Sequence, residues 1–124
     1  MELAMPTTLI KSRLKAFNLQ QGCCIYCELP MWLYNPEAFA KKYKITANQA
    51  KLFKCTAEHL KAKQEGGKDT ESNIVAACYF CNQKRHKCKK PKDPISYKLY
   101  VSRRVGKGRW SSVLIPSHHI SQHM

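Results

Sequence analysis

A chain of 124 residues with 22 Lys and Arg against eight Asp and Glu, a formal net charge of +14, makes one domain with a small core. It is short of the size at which burial alone gives comfortable stability. The basic residues are spread along the chain, which is the composition of a protein that neutralises phosphates, and no stretch joins an apolar to a basic face over several turns as a membrane-surface helix would. The first thirty residues place Lys11, Arg13 and Lys15 inside a helical pattern, so neither a signal peptide nor a membrane span is expected and the setting is expected to be cytoplasmic.

Apolar residues at Ile10, Leu14 and Phe17 predict a helix over Thr8 to Leu19, ended by Gln20-Gln21-Gly22. After "CCIYCELP", Asn35-Pro36-Glu37 supplies an N-cap, a first-turn proline and a first-turn acid for a short helix through Phe39 and Tyr43. Thr46 and Gln49 have the form of a capping box for a second helix with Ala47, Ala50 and Phe53 on its apolar face. Lys54 to His59 alternates and Ile74 to Ala77 is a short apolar run, which predicts two strands around a loop carrying Gly66-Gly67. "CYFCNQKRHKCKK" reads as a helix with a cationic last turn stopped by Pro91. Asp93-Pro94 caps a last helix through Ile95, Leu99 and Tyr100. The remainder, from Gly106 onward, has no firm period and reads as a tail, in which Trp110 is expected to pack on the core in preference to stacking on a base; His118, His119 and His123 are assigned no role.

Seven cysteines in a cytosolic chain point to metal binding before disulfides. The pairs Cys24/Cys27 and Cys78/Cys81 each have the Cys-x2-Cys spacing. Four thiolates from two tight knuckles make a closed tetrahedral site that Zn2+ favours and that contributes to folding. Cys23 competes with Cys24, but only Cys24 keeps the two-residue spacing. Cys55 and Cys88 read as a strand thiol and a helix-face thiol.

Between the knuckles stands a strand ending in Glu58-His59, then a glycine-bearing loop, Asn73 before a second strand, and a helix with Asn82 and His86. Through "CIYC", "TAEHL", "GG" and "SNIVAACYFCNQKRH", residues Gly22 to Lys90 resemble the HNH nucleases. The resemblance implies an α+β fold: a small ββα-metal core of two short antiparallel strands and a helix, stapled by zinc and flanked by helices. It implies an endonuclease that hydrolyses phosphodiester bonds and leaves 5′-phosphate and 3′-hydroxyl ends. By the same resemblance His59 matches the general base, Asn73 the residue that fixes the loop and orients that base, and Asn82 and His86 the helix-borne metal ligands. Some members have histidine where this chain has Glu58 or Asn82, and many have aspartate at the former. The catalytic cation is therefore open, Mg2+ first, with Mn2+, Ni2+ or Zn2+ as alternatives. DNA is the partner favoured, and RNA stays open.

The residues support this on their own terms. Asn82 and His86 are four apart on a helix, so their side chains leave the same face. With Glu58 they offer two oxygens and a nitrogen to one cation. Neighbouring strand residues point to opposite faces, which suits Glu58 as ligand and His59 as base; histidine as a residue type has a useful neutral fraction at pH 7. Lys84, Arg85, Lys87, Arg103, Arg104, Lys107 and Arg109 are the candidate nucleic-acid contacts, against the plainer reading of solvated helix ends. The domain expectation is a single nuclease domain, 1–124: an N-terminal helix in 1–21, a zinc-stapled core with a helical insertion in 22–90, and a basic helix and tail in 91–124. Monomer and homodimer are both open. The rival of another class is a non-catalytic zinc-dependent nucleic-acid-binding module, in which Cys78-x2-Cys81-x4-His86 begins a zinc knuckle and takes His86 from any active site.

Overall fold

The computed structural model describes residues 7–113 and 115; His118, His119 and His123 lie outside them. Five helices flank a two-stranded antiparallel sheet: α1 (Thr8–Leu19), α2 (Pro36–Tyr43), α3 (Ala47–Ala50), β1 (Cys55–His59), β2 (Ile74–Cys78), α4 (Tyr79–His86) and α5 (Pro94–Gly106). The fold is α+β with a ββα unit at its centre. The register sets Glu58 opposite Val75 and His59 opposite Ile74, with Cys55 opposite Cys78 at the other end.

The local signals in the chain account for the element ends. Thr7, Asn35, Thr46 and Asp93 each accept a hydrogen bond from a backbone N–H in the following first turn, and Thr46 and Gln49 form the reciprocal capping box. Helix α1 ends as expected, with Gly22 at φ +74° turning the chain toward the first knuckle. Gln20 does more than stop the helix. Its amide donates to the carbonyls of Cys23 and Ala76 at 2.8 Å and accepts from the Ala76 N–H at 2.9 Å. With Ile25 N–H also donating to Ala76 O at 3.0 Å, the outer edge of β2 is sealed by the knuckle and does not offer itself to another strand.

The insertion between Trp32 and Lys54 is closed at its neck. Trp32 and Lys54 form a parallel bridge, and the Trp32 indole donates to Ala50 O at 2.7 Å. Phe39 packs at a tilt against Tyr43 and Phe53, with ring centroids 4.7 and 5.8 Å away. Phe53 is fully buried, a burial that contributes about 1.5–3 kcal/mol. The insertion has its own small apolar centre joined to the main core.

Two helical faces differ from the sequence expectation. Ile10 and Leu14 of α1 are exposed, and the buried residues are Ser12 and Ala16. The helix lies directly on the sheet, a close approach that favours small residues, and the Ser12 hydroxyl is satisfied by Asp69 O at 2.8 Å. On α5, Ile95 is 77% exposed and Leu99 and Tyr100 also reach solvent, while Tyr97 and Val101 are buried. Tyr97 makes an edge contact with Tyr26 at 4.7 Å and donates to Cys81 O at 2.7 Å. The segment after α5 also departs from a free tail: Val113 and Ile115 are buried, and Trp110 packs against Phe80, Tyr97 and Tyr100.

Candidate active site and zinc centre

The sulfurs of Cys24, Cys27, Cys78 and Cys81 all lie within 4.8 Å of one another, and all four residues are buried. Cys27 and Cys78 sulfurs are 3.9 Å apart. Four thiolates about 2.3 Å from one tetrahedral Zn2+ stand about 3.8 Å from each other, so the cluster fits the ion. The backbone supports it with N–H donors: Tyr26 and Cys78 to the Cys24 sulfur, and Cys81 to the Cys78 sulfur. The Trp110 indole N–H reaches the Cys81 sulfur at 3.2 Å. Burial opposes charge on Cys24, yet hydrogen bonds from Cys27, Cys78 and Cys81 outweigh it and hold that thiol well below its ordinary range. Cys78 is pushed well above its range by donating to Cys24, and Cys81 by burial and then by the same donation. A divalent ion is what lets the four sulfurs ionise together. Cys23 stays outside the cluster. Cys55 is a buried strand thiol pushed up to about 11 by burial, and Cys88 is exposed just beyond α4.

At the far end of the sheet, Glu58 is 1% exposed, and a carboxylate that deep needs partners. One oxygen is held from behind, by the Tyr26 hydroxyl at 3.1 Å and the Arg85 guanidinium at 3.3 Å. The other faces the His86 Nε2 at 2.9 Å. Burial, and then the Glu58 charge, push the Tyr26 phenol far up, so it stays protonated and donates. The His86 side chain is 42% exposed. The arrangement is a buried anionic floor with a histidine at its mouth. Asn82, one turn before His86, donates through Nδ2 to Thr56 Oγ1 at 2.9 Å, and Thr56 donates in turn to Ala77 O. This fixes the amide with its carbonyl oxygen turned away from Thr56. Glu58 Oε1, Asn82 Oδ1 and His86 are a donor set that could hold a hard or borderline divalent cation.

His59, the next residue on β1, turns the other way. Its Nε2 meets Asp69 Oδ1 at 2.7 Å, with Lys63 3.9 Å from the second carboxylate oxygen. Donation from His59, and then the Lys63 charge, hold the Asp69 carboxyl below its ordinary range. A carboxylate only accepts, so Nε2 is the donor, and in the neutral ring that tautomer leaves the lone pair on Nδ1. Asn73 pins the loop between: it accepts from Lys61 N–H at 2.8 Å and donates to the carbonyls of Lys61 and Lys68 at 3.0 and 2.9 Å. Gly67 sits under the same loop, where a Cβ would come 1.8 Å from Lys61 O, so the close chain approach requires glycine.

The structure thus brings Glu58 and His86 into contact, with Asn82 one turn before His86 on α4 and bonded to Thr56 of β1. It sets His59 on a separate hydrogen bond and Asn73 in the loop that carries Asp69. Of the expected nucleic-acid contacts, Lys84, Lys87, Arg103, Arg104, Lys107 and Arg109 are exposed. Arg85 departs from them: it is buried, with Nε on Lys92 O at 3.1 Å and Nη1 on Glu58, because the buried carboxylate draws in its countercharge. Tyr26, Thr56 and Asp69 were missed in the sequence. Tyr26 is hidden between two zinc cysteines, and Asp69 follows the double glycine with no periodicity to mark it.

Residues 48–88 match the family model for the HNH endonuclease. That segment, about a third of the chain, is similar to the HNH endonuclease family. The match spans β1, the pinned loop, β2 and α4, so the HNH segment coincides with the ββα unit. The N-terminal knuckle and α5 lie outside it. No curated protein and no solved structure matches the chain. Among the described residues no helix is long and apolar enough to cross a membrane.

Proposed function

We propose that the chain is a divalent-metal-dependent endonuclease that hydrolyses DNA phosphodiester bonds, with His59 as general base, and that residues 1–124 act as one domain. The observation that carries this reading is the placement of Glu58 and His86 in contact at the surface mouth of a buried carboxylate, with His59 adjacent in sequence and tied to Asp69. Glu58, Asn82 and His86 would hold the cation. When bound, Mg2+ or a related ion stabilises charge on the phosphate and on the departing 3′ oxygen. His59 Nδ1 takes a proton from the attacking water, and Asp69 holds the ring in that tautomer while compensating the imidazolium that forms. Attack by water with departure of the 3′ oxygen leaves 5′-phosphate and 3′-hydroxyl ends. Exposed lysines and arginines beside α4 and on α5 track the backbone electrostatically.

The direct test is incubation of zinc-loaded protein with supercoiled plasmid and Mg2+, Mn2+ or Ni2+. Nicked or linear product whose 5′ ends carry phosphate is expected, and a folded protein that cuts with none of the three cations would overturn the proposal. Asp69→Asn is expected to lower the single-turnover rate about tenfold or more through loss of ring orientation, with DNA affinity unchanged and partial recovery in Asp69→Glu. A matched loss of binding and rate would instead make Asp69 a scaffold for the loop.

A further inference from the structure

We propose that a cavity of about 250 Å3 between the end of α4 and the outer face of α5 binds one unpaired nucleotide of the substrate strand, next to the cleavage site. The inference rests on the nuclease reading for its substrate, and on the cavity itself for its chemistry. Lys84, Lys90, Lys92 and Arg104 line it together with aromatic walls from Tyr100 and Trp110, and its lining contains no Asp or Glu. Such a lining selects an anion that also carries a flat apolar surface.

The polar handles of the aromatic wall are already engaged. The Tyr97 hydroxyl and the Trp110 indole N–H both point to Cys81, so these rings offer carbon surface to the cavity. Tyr100 stacks on Tyr97 at 6.2 Å and makes a T-shaped contact with Trp110 at 5.8 Å, so it belongs to a packed aromatic wall, and it is 38% exposed. Lys92 stands 5.0 Å over that ring, marking a face that is reachable and cationic. A base stacked on Tyr100, with its phosphate on Lys92 and Arg104, satisfies both features, whereas a bare phosphate leaves the rings unused. The cavity has room for a base with part of its sugar, and a duplex cannot enter. Arg85 links the cavity to the proposed active site, since it lines the former and reaches Glu58 at 3.3 Å. On this proposal a strand bound at Glu58 and His86 places a neighbouring nucleotide in the cavity, and that nucleotide must be unpaired or extruded from its stack.

The experiment measures binding, so it stands apart from cleavage. Affinities of the zinc-loaded protein for a short single-stranded oligonucleotide and for an all-abasic strand of equal length are compared at fixed salt, without added catalytic cation. Strand integrity is checked on a gel. Tyr100→Leu, which keeps apolar packing and removes the ring, is expected to weaken binding of the base-bearing strand about tenfold, the scale of one lost base–aromatic stack, and to leave the abasic strand unchanged. Arg104→Gln should weaken both. Perfect duplex should be insensitive to Tyr100→Leu, and duplex carrying a one-nucleotide bulge sensitive. Tyr100→Ala is a second variant if the leucine protein does not fold. Equal effects of the Tyr100 change on base-bearing and abasic strands, or no effect on either, would overturn the site as a nucleotide pocket. Plasmid cleavage by a protein that gives that result would show that the nuclease reading survives while the pocket does not.

Discussion

His59→Ala should give a folded, zinc-loaded protein that binds DNA with near-normal affinity and cuts it at least ~100-fold more slowly, the scale of removing a general base. Folding should survive because the site tolerates the loss. The partner Asp69 is only half-buried and keeps Lys63 nearby, so no charge is stranded in the interior. The contrast is Glu58. Truncating it to alanine removes the countercharge of the buried Arg85, and an unpaired buried cation is strongly destabilising. Glu58→Gln also removes the charge but keeps the shape and one hydrogen-bond acceptor for Tyr26 and Arg85, so it disturbs the fold less than alanine, and its activity should be lost but partly recovered with excess cation. The measurement is single-turnover cleavage beside binding without added cation. A His59→Ala protein that cuts at the wild-type rate under subsaturating substrate would remove His59 from the chemistry.

The ββα unit was legible because its signals are local. The alternation of β1, the apolar run of β2 and the Cys-x2-Cys pairs need no knowledge of distant residues, and each cap acts within its own helix. Helix faces were less legible. On α1 the apolar spacing of Ile10 and Leu14 identified the helix, but the buried face belongs to Ser12 and Ala16. What decides that face is how closely the helix approaches the sheet, a tertiary property. Likewise Tyr97 is buried on α5 because its hydroxyl finds a carbonyl on α4, and Ile95 has no such place.

The candidate site divides in the same way. The places of Glu58 and His59 at a strand end and of Asn82 and His86 on one helix face could be read because that spacing is itself geometric, while the roles proposed for them rest on the resemblance to the HNH nucleases. Asp69 could not, since its meeting with His59 depends on a loop folded by Asn73 and Gly67. Arg85 was read as part of a cationic helix end, and only the burial of Glu58 shows why one of those charges turns inward. The described residues after α5 lacked a period because they pack without regular structure, through Trp110, Val113 and Ile115, and periodicity reports only regular elements.

Cys78→Ser should unfold or aggregate the protein, and the wild type should hold about one tightly bound zinc per chain. The size of the effect follows from two scales. Structural zinc in small domains contributes about 10–16 kcal/mol of apparent binding free energy, and the net stability of a domain is about 5–15 kcal/mol. Cys78 also sits where three elements meet, as the last residue of β2, the N-cap of α4 and the register partner of Cys55. Its loss therefore frees the first knuckle from the sheet and α4 from its start. Metal analysis and circular dichroism read the two consequences together. His86→Ala, by comparison, should keep the zinc and the fold, because the four clustered sulfurs already complete a tetrahedral site and His86 contacts Glu58 instead. Zinc lost on changing His86 but retained on changing Cys24 would reverse that assignment and move His86 from the active site into a nucleic-acid-binding zinc knuckle.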